Sequence, residues 1–327
     1  MSNKGIRARL FDADGQDRAI ELAEEDLHSI GERRLLWVDV DLDAGGTLDD
    51  VAGPLELEDI DRRRLETDIG HARLVHGVER LHVTLEAMEI DASAGADGRL
   101  VRREIDLMAG PGVVLSVHRG RIEALERFMD ALGGETSLGV LDAADLLSSL
   151  IDEVINGYYG LAETIEQQID DLDHAALRGD RAVDVLASLV AIRQRISLLR
   201  RTLAPHRSAL AALARPETDT EQGVGKPWPG LVERLEAALG TIESLRDALL
   251  GTYDIHMGRE AQRANEVMKA LTVLSAILLP SVVLAGIMGM NFAQPFFDEP
   301  SNFYIVVAAM GGFAIVLLGF ARWRDWL

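Results

Sequence analysis

Residues 270–290 read ALTVLSAILLPSVVLAGIMGM, 21 positions without a charge. Wound as an α-helix at about 1.5 Å per residue they reach about 31 Å, the thickness of a bilayer's hydrocarbon core. Core helices of water-soluble proteins seldom run so far without a charged side chain, so this stretch is expected to span a membrane. A second uncharged stretch, residues 303–321, follows after a connection, residues 291–302, that is too short to be a domain. Arg259, Arg263 and Lys269 precede the first span and Arg322 and Arg324 follow the second, whereas the connection holds no base. Bases collect on the cytoplasmic side, so both flanks, and with them both termini, are expected in the cytoplasm of a cell-membrane protein. Phe292, Phe296, Phe297, Phe303 and Tyr304 on the outer side, and Trp323 and Trp326 on the inner side, stand where interfacial aromatic anchors are expected. Asp298 and Glu299 are the outer connection's only charges; they would draw cations towards a nearby opening or simply keep the loop soluble.

Upstream of the first span, Leu231, Leu235, Ala238, Ile242, Leu245 and Leu249 follow at steps of 4, 3, 4, 3 and 4, a heptad seam. No proline lies between Leu231 and Leu279, so the seam is predicted to continue into the span as one helix of about 60 residues. Beyond Leu249 the stripe turns polar through Thr252, His256, Arg259 and Arg263, which suits a water-filled axis better than an apolar core. Self-association around a central channel is the expected reason for the seam; packing against the chain's own helices is the alternative. The Pro216–Pro229 stretch has loop composition. Before it, residues 141–176 and 182–213 read as two amphipathic helices joined by a turn near Gly179, an antiparallel hairpin. Residues 5–120 alternate β-like runs at 35–40, 81–85 and 113–117 with charged helical stretches, the pattern of a small α/β domain.

The chain has 33 Lys and Arg against 54 Asp and Glu, a formal charge of −21, and 51 of those acids with 31 bases lie in residues 1–269. A charge of −20 on that part excludes nucleic acid as a partner and repels anionic lipid. With no cysteine there is no disulfide framework, thiolate metal site or thiol nucleophile. The N-terminal residues meet charge too early for a signal-peptide core, so residues 1–269 are expected to stay where they were made. Phosphate-binding Gly-rich loops, nucleophile elbows and His-Glu-x-x-His pairs are all missing, so no enzyme activity is expected. His71 and His76, five apart, make a poor zinc pair. Glu163, Glu166, Asp170, Asp171, Asp173 and His174 either hold divalent cations at the hairpin tip or form a solvated helix face.

Gly286-Ile287-Met288-Gly289-Met290-Asn291 closes the first span with small residues and an amide oxygen. Together with Asn265-Glu266-Val267-Met268-Lys269-Ala270-Leu271-Thr272, Leu279-Pro280 and the terminal Trp326-Leu327, it resembles the CorA family of divalent-cation (magnesium/cobalt) channels of the Gly-Met-Asn type. The likeness is dense over residues 250–327. It implies a funnel-shaped homopentamer whose protomer is α+β: a cytoplasmic α/β domain at 1–120, a helical part with an acidic hairpin at 121–228 and a stalk helix at 229–269. Transmembrane helix 1 at 270–290, the outer loop at 291–302, transmembrane helix 2 at 303–321 and a cytoplasmic tail at 322–327 complete it.

By the same resemblance Gly289, Met290 and Asn291 form the selective pore mouth, where Asn291 receives hydrated Mg²⁺, an ion that sheds water reluctantly. Asn265, Met268, Leu271 and Leu279 match the family's pore lining, the three apolar ones as a dewetting gate; lipid-facing packing is the competing reading of those three. Mg²⁺ is then both cargo and regulator, with no organic cofactor, and the partners are further copies of the chain, membrane lipids and divalent cations. No motif of this sequence carries the family's regulatory acid pair; Glu233, near the top of the stalk, and Asp254 are the candidates for regulatory metal ligands, with simple solvated helix acids as the alternative. Met288 stands where the family has an aromatic residue, and Phe292–Pro300 lacks the usual Met-Pro-Glu-Leu, departures that bear on ion choice rather than on fold. A proton-coupled zinc transporter like the ZntB branch, and a non-conducting membrane-anchored cation sensor, remain as alternatives.

Overall fold

A computed structural model describes residues 5–12, 17–22, 34–77, 80–91, 98–131, 142–178, 184–214, 228–290 and 300–324. It divides into two compact units: Met1–Leu172 with Asp184–Gly251, and Asp173–Val183 with Thr252–Leu327.

The first unit contains a seven-stranded sheet of order β2-β1-β3-β7-β6-β5-β4. Its strands are β1 (Ile6–Asp12), β2 (Arg18–Ile20), β3 (Arg34–Asp41), β4 (Arg73–His76), β5 (Leu81–Asp91), β6 (Arg99–Gly110) and β7 (Val113–His118). The three β-like runs of the sequence are β3, the first half of β5, and β7. Only β3 and β7 pair in parallel; the other neighbours are antiparallel. Strand β6, RLVRREIDLMAG, is too charged to stand out by composition, yet it pairs with β5 from Leu81↔Ala109 to Asp91↔Arg99. The tight turn into β7 carries Pro111 followed by Gly112 at φ 69°, the left-handed position that a type II turn reserves for glycine.

One face of the sheet buries Leu10, Leu36, Val38, Val40, Met108 and Leu115 beneath α1 (Leu48–Ala52) and α2 (Asp59–Glu66). On the other, Trp37 meets Phe128 of α3 (Glu123–Ala131) edge-on at 5.5 Å. A polar node lies inside this core. Asp39, 1 % exposed, accepts from Ser116 Oγ at 2.5 Å, from His118 Nε2 at 3.1 Å and from Arg7 at 2.7 Å. Burial opposes ionisation of both Asp39 and His118, but their mutual attraction wins, holding the carboxyl below and the imidazole above the ordinary range.

The hairpin is present as α4 (Ala143–Arg178) and α5 (Val185–Leu203), with Asp184 Oδ1 capping α5 by accepting from Ala187 N at 3.0 Å. Gly179 lies outside the described residues. The expected second helix is two helices: the chain breaks at Ala204 and Pro205, and α6 (His206–Leu213) follows. Pro205 has no N–H to offer the preceding turn, so α5 ends there. Helix α6 brings His206 to the edge of β5, where Nε2 accepts from Glu86 N at 3.1 Å and Tyr158 donates to Glu86 O at 2.7 Å. Two side chains thus complete a strand edge beyond the end of β4.

Helix α7 (Trp228–Met288) is continuous over 61 residues, matching the predicted length. The heptad seam does not face an open axis. Leu231, Leu235, Ala238, Ile242, Leu245 and Leu249 are all buried within the single chain. Arg234 pairs with Asp152 of α4 at 2.7 Å, Tyr159 donates to Arg234 O at 3.1 Å, and Arg200 of α5 meets Glu243 at 3.4 Å. The expectation of self-association through this stripe is therefore corrected: a period of 3.5 residues demands an apolar partner, and the chain's own helices supply it.

In the second unit, the guanidinium of Arg259 on α7 donates to the Leu177 carbonyl in the last turn of α4. This places a cation at a helix C-terminus, where the macrodipole favours it. Helix α8 (Pro300–Trp323) completes the unit, overrunning the expected 303–321 at both ends.

Candidate functional site

The upper part of α7 has no charge after Lys269, and little of it is covered. Only 6 % of its most apolar window is buried, and none of the corresponding window of α8. An apolar helix that stays exposed in the folded chain must find lipid or other chains. Asn265 is exposed, and Met268, Leu271 and Leu279 are 62, 60 and 67 % exposed. At about 100° per residue these four fall within an arc of about 120° on one side of the helix. The arc holds one amide oxygen, at Asn265, followed by one thioether and two branched aliphatic side chains that water wets poorly.

Backbone needs inside the span are met locally. Thr272 Oγ1 donates to Met268 O at 2.8 Å and Ser281 Oγ to Ile277 O at 3.1 Å, so neither hydroxyl is left bare. Pro280 sits inside the helix without breaking it. At the outer end Gly289 N donates to Ala285 O at 3.0 Å and Met290 N to Ile287 O at 3.1 Å, so Gly289 and Met290 wind the helix to its close. Asn291, Asp298 and Glu299 lie outside the described residues.

Glu233 and Asp254 are both exposed on α7, 21 positions apart, which at about 1.5 Å per residue is about 31 Å. One chain cannot bring both to the same ion. Among the described residues no group of three or more His, Asp or Glu side chains is arranged to hold a metal. Glu163, Glu166, Asp170, Asp171 and His174 point to solvent along α4, the solvated-face alternative, while Asp173 is half-buried. His71 and His76 are exposed, His71 with its Nδ1 3.1 Å from Ile69 O.

Two polar groupings escaped the sequence reading because their members come from distant strands. Ser116, His118 and Asp39 have the composition of a hydrolase triad but not its order. His118 donates through both nitrogens, to Asp39 and to Gly120 O at 2.7 Å, so no basic nitrogen remains for the serine. Asp106 of β6 accepts from Thr84 Oγ1 at 2.7 Å, and neighbouring Glu104 receives Ile69 N and Gly70 N. Burial, reinforced by Glu104 and Asp68, pushes the Asp106 carboxyl up to about 7.

The sequence model of the CorA-like Mg²⁺ transporter protein family matches residues 32–322. The cobalt/magnesium transport protein CorA of Thermotoga maritima is 29 % identical over 184 residues, 56 % of this chain; that match spans about half, 52 %, of the relative's length. The divalent cation transporter CmaX of Pseudomonas aeruginosa is 25 % identical over 287 residues, covering 86 % of this chain and 81 % of CmaX. The complete structure of the CorA magnesium transporter from Methanocaldococcus jannaschii superposes with a TM-score of 0.75 at 19 % identity, covering 100 % of both chains. An α+β domain, one long helix running into an uncharged span, and a second apolar helix after a Gly-Met-Asn connection agree with a match over nearly the whole length: the chain belongs to the CorA-like Mg²⁺ transporter family.

Proposed function

We propose that the chain carries divalent cations, chiefly Mg²⁺ and with it Co²⁺ or Ni²⁺, across a cell membrane as a homopentamer whose first spans surround one pathway. The supporting observation is the exposed, uncharged arc Asn265–Met268–Leu271–Leu279, which leads along one helix towards Asn291. Both termini are assigned to the cytoplasm, with residues 229–269 as stalk, 270–290 and 303–321 as spans and 291–302 as the outer loop.

In this reading Asp298 and Glu299 raise the cation concentration at the outer face. Asn291, beside Gly289 and Met290, accepts hydrogen bonds from the water shell that Mg²⁺ keeps. Met268, Leu271 and Leu279 close the path by excluding water when the helices stand close, and Asn265 offers an oxygen beyond them. Five copies of a −20 cytoplasmic part repel one another. Mg²⁺ shared between carboxylates of neighbouring protomers, Glu233 and Asp254 among them, offsets that repulsion and holds the closed state; its loss lets the protomers part. No ionisable side chain lies in the first span to pass a proton, which favours a channel over a proton-coupled carrier.

Proteoliposomes loaded with a divalent-ion indicator test the reading, with the parent chain compared with Asn291→Ala. Voltage-driven Mg²⁺ entry that ignores a pH gradient and is lost in the variant is expected. Zn²⁺ entry that requires the gradient would move the protein to the ZntB-like alternative, and no entry of either ion would leave a membrane-anchored sensor.

A further inference from the structure

Helices α4 and α5 turn outward faces of opposite charge to solvent. Helix α4 carries eight acids against one base, and α5 carries four arginines and no acid. On α4, Glu163, Glu166, Gln167, Asp170 and Asp171 are exposed, on the side opposite the buried Ile165, Ile169 and Leu172. The four acids among them make no ion pair within the described residues. On α5, Arg193 and Arg201 are exposed and likewise make no ion pair within the described residues. At about 100° per residue they bracket Leu186 and Val190 on one face, with Leu198 about 60° beyond Arg201; Leu186, Val190 and Leu198 are 48, 49 and 37 % exposed. An apolar strip with arginines at its edge is unusual in a part of the chain whose charge is −20, and a solvated surface has no need of it.

Each charged stretch covers about nine residues, 163–171 on α4 and 193–201 on α5, about 13 Å in each case. Within one chain the two helices pack by their buried sides, with Arg195 Nη1 donating to Gln168 Oε1 at 2.7 Å, so the acidic face cannot reach its own chain's basic face. We infer that the acidic face of α4 docks on the basic, partly apolar face of α5 of a second copy of this chain. Because the two faces differ, the contact is heterologous: every copy offers one face and accepts the other, a repeat that makes a ring when the rotation between copies closes. Opposite charges guide the approach and suppress like-to-like pairing, while Leu186, Val190 and Leu198 gain cover. The inference rests on the reading that the chain assembles with itself, but it requires neither a particular ion nor transport.

The absence of native cysteine makes a direct test possible. Two full-length single-cysteine variants, Gln167→Cys on α4 and Gln194→Cys on α5, replace neutral exposed residues. They are purified with different tags, mixed during assembly and oxidised. Cross-links are expected in the mixture and not in either variant alone. Raising salt from about 0.05 to about 0.5 M is expected to lower the yield severalfold, as screening shortens the reach of the charges. Arg193→Glu with Arg201→Glu on the α5 partner should abolish the cross-link, and Glu166→Lys with Asp170→Lys on the α4 partner should restore it. Size by light scattering is read first on the same samples. A monomer would overturn self-assembly itself, whereas an oligomer without the 167–194 cross-link, or with equal 167–167 cross-links, would overturn this interface alone.

Discussion

The two ends of helix α7 contrast in what covers them. From Leu231 to Leu249 an apolar stripe is buried within the chain's own helices; from Val267 to Ile287 most of the equally apolar side chains lie open, Val273 being buried, with Leu279 and Val282 both 67 % exposed. Apolar periodicity alone says that a face needs cover, and it does so for both ends. What distinguishes them is charge on the remaining faces. The lower end has Glu233, Arg234, Glu236, Glu243 and Arg246 facing water around one apolar stripe, the pattern of a helix on a soluble core. Beyond Lys269 the upper end has no charged side chain, so every side of it needs a non-aqueous neighbour or a narrow aqueous one.

The contrast can be broken most strongly at the seam. Leu235→Ala is expected to destabilise the first unit by about 2–5 kcal/mol, because Leu235 is fully buried and its cavity cannot refill. Leu279→Ala should leave that unfolding transition unmoved and instead raise cation leak. Denaturant unfolding of the full chain in detergent, followed by tryptophan fluorescence, together with liposome flux, separates the two. If Leu279→Ala lowered the midpoint as much as Leu235→Ala, the division of α7 would be wrong.

Proton sensitivity sharpens the same contrast, since the titrating groups with large shifts lie in the first unit. Complete burial lowers His206 to about 4 from an ordinary 6.5. The unfolded chain therefore binds the extra proton first, and stability present above pH 6.5 declines as pH falls towards 4. The loss approaches about 3 kcal/mol. His206→Gln should flatten this acid limb of a pH-stability curve.

Asp106 runs the other way. Its carboxyl, raised from 3.8 to about 7, makes the folded state hold the proton longer, so its contribution is full below pH 3.8 and is lost as pH rises through 7. Asp106→Asn keeps an oxygen for Thr84 and should stabilise the unit by about 2 kcal/mol above pH 7 and by nothing near pH 4, the figure being discounted for partial solvent access. In the parent the two trends oppose each other between pH 4 and 6.5, so single variants expose slopes that the parent conceals. The smallest effect belongs to Arg200→Ala, which removes a 3.4 Å pair to Glu243 with both side chains more than half exposed. A change under about 0.5 kcal/mol is expected in thermal unfolding.

The sequence made the spans, the length of α7 and three strands readable because each rests on local pattern: an uncharged run, a proline-free heptad, or a short run rich in Val and Leu. It concealed β6, whose Arg102, Arg103 and Asp106 find Glu86, Glu89 and Thr84 on β5 across the ladder, while Glu104 is held by Ile69 N and Gly70 N. It also left the seam's partner undetermined, since a heptad specifies an apolar contact but not whose. The Asp39 node joins residues 77 and 79 positions apart, a separation no local pattern records. Of the site, Asn265, Met268, Leu271 and Leu279 came from motif order, and their common exposure is the structural fact that now stands beside it.

Pro280 carries a last consequence. Lacking an N–H, it leaves the Ala276 carbonyl without its usual helical donor, in the middle of an uncharged apolar stretch. That oxygen is a foothold for a first water molecule one turn from Leu279. If the proposed gate at Leu279 operates, such a nucleation point lets the dry constriction refill after a small separation of the helices, so a missing hydrogen atom would set the threshold for wetting as much as the width between the side chains.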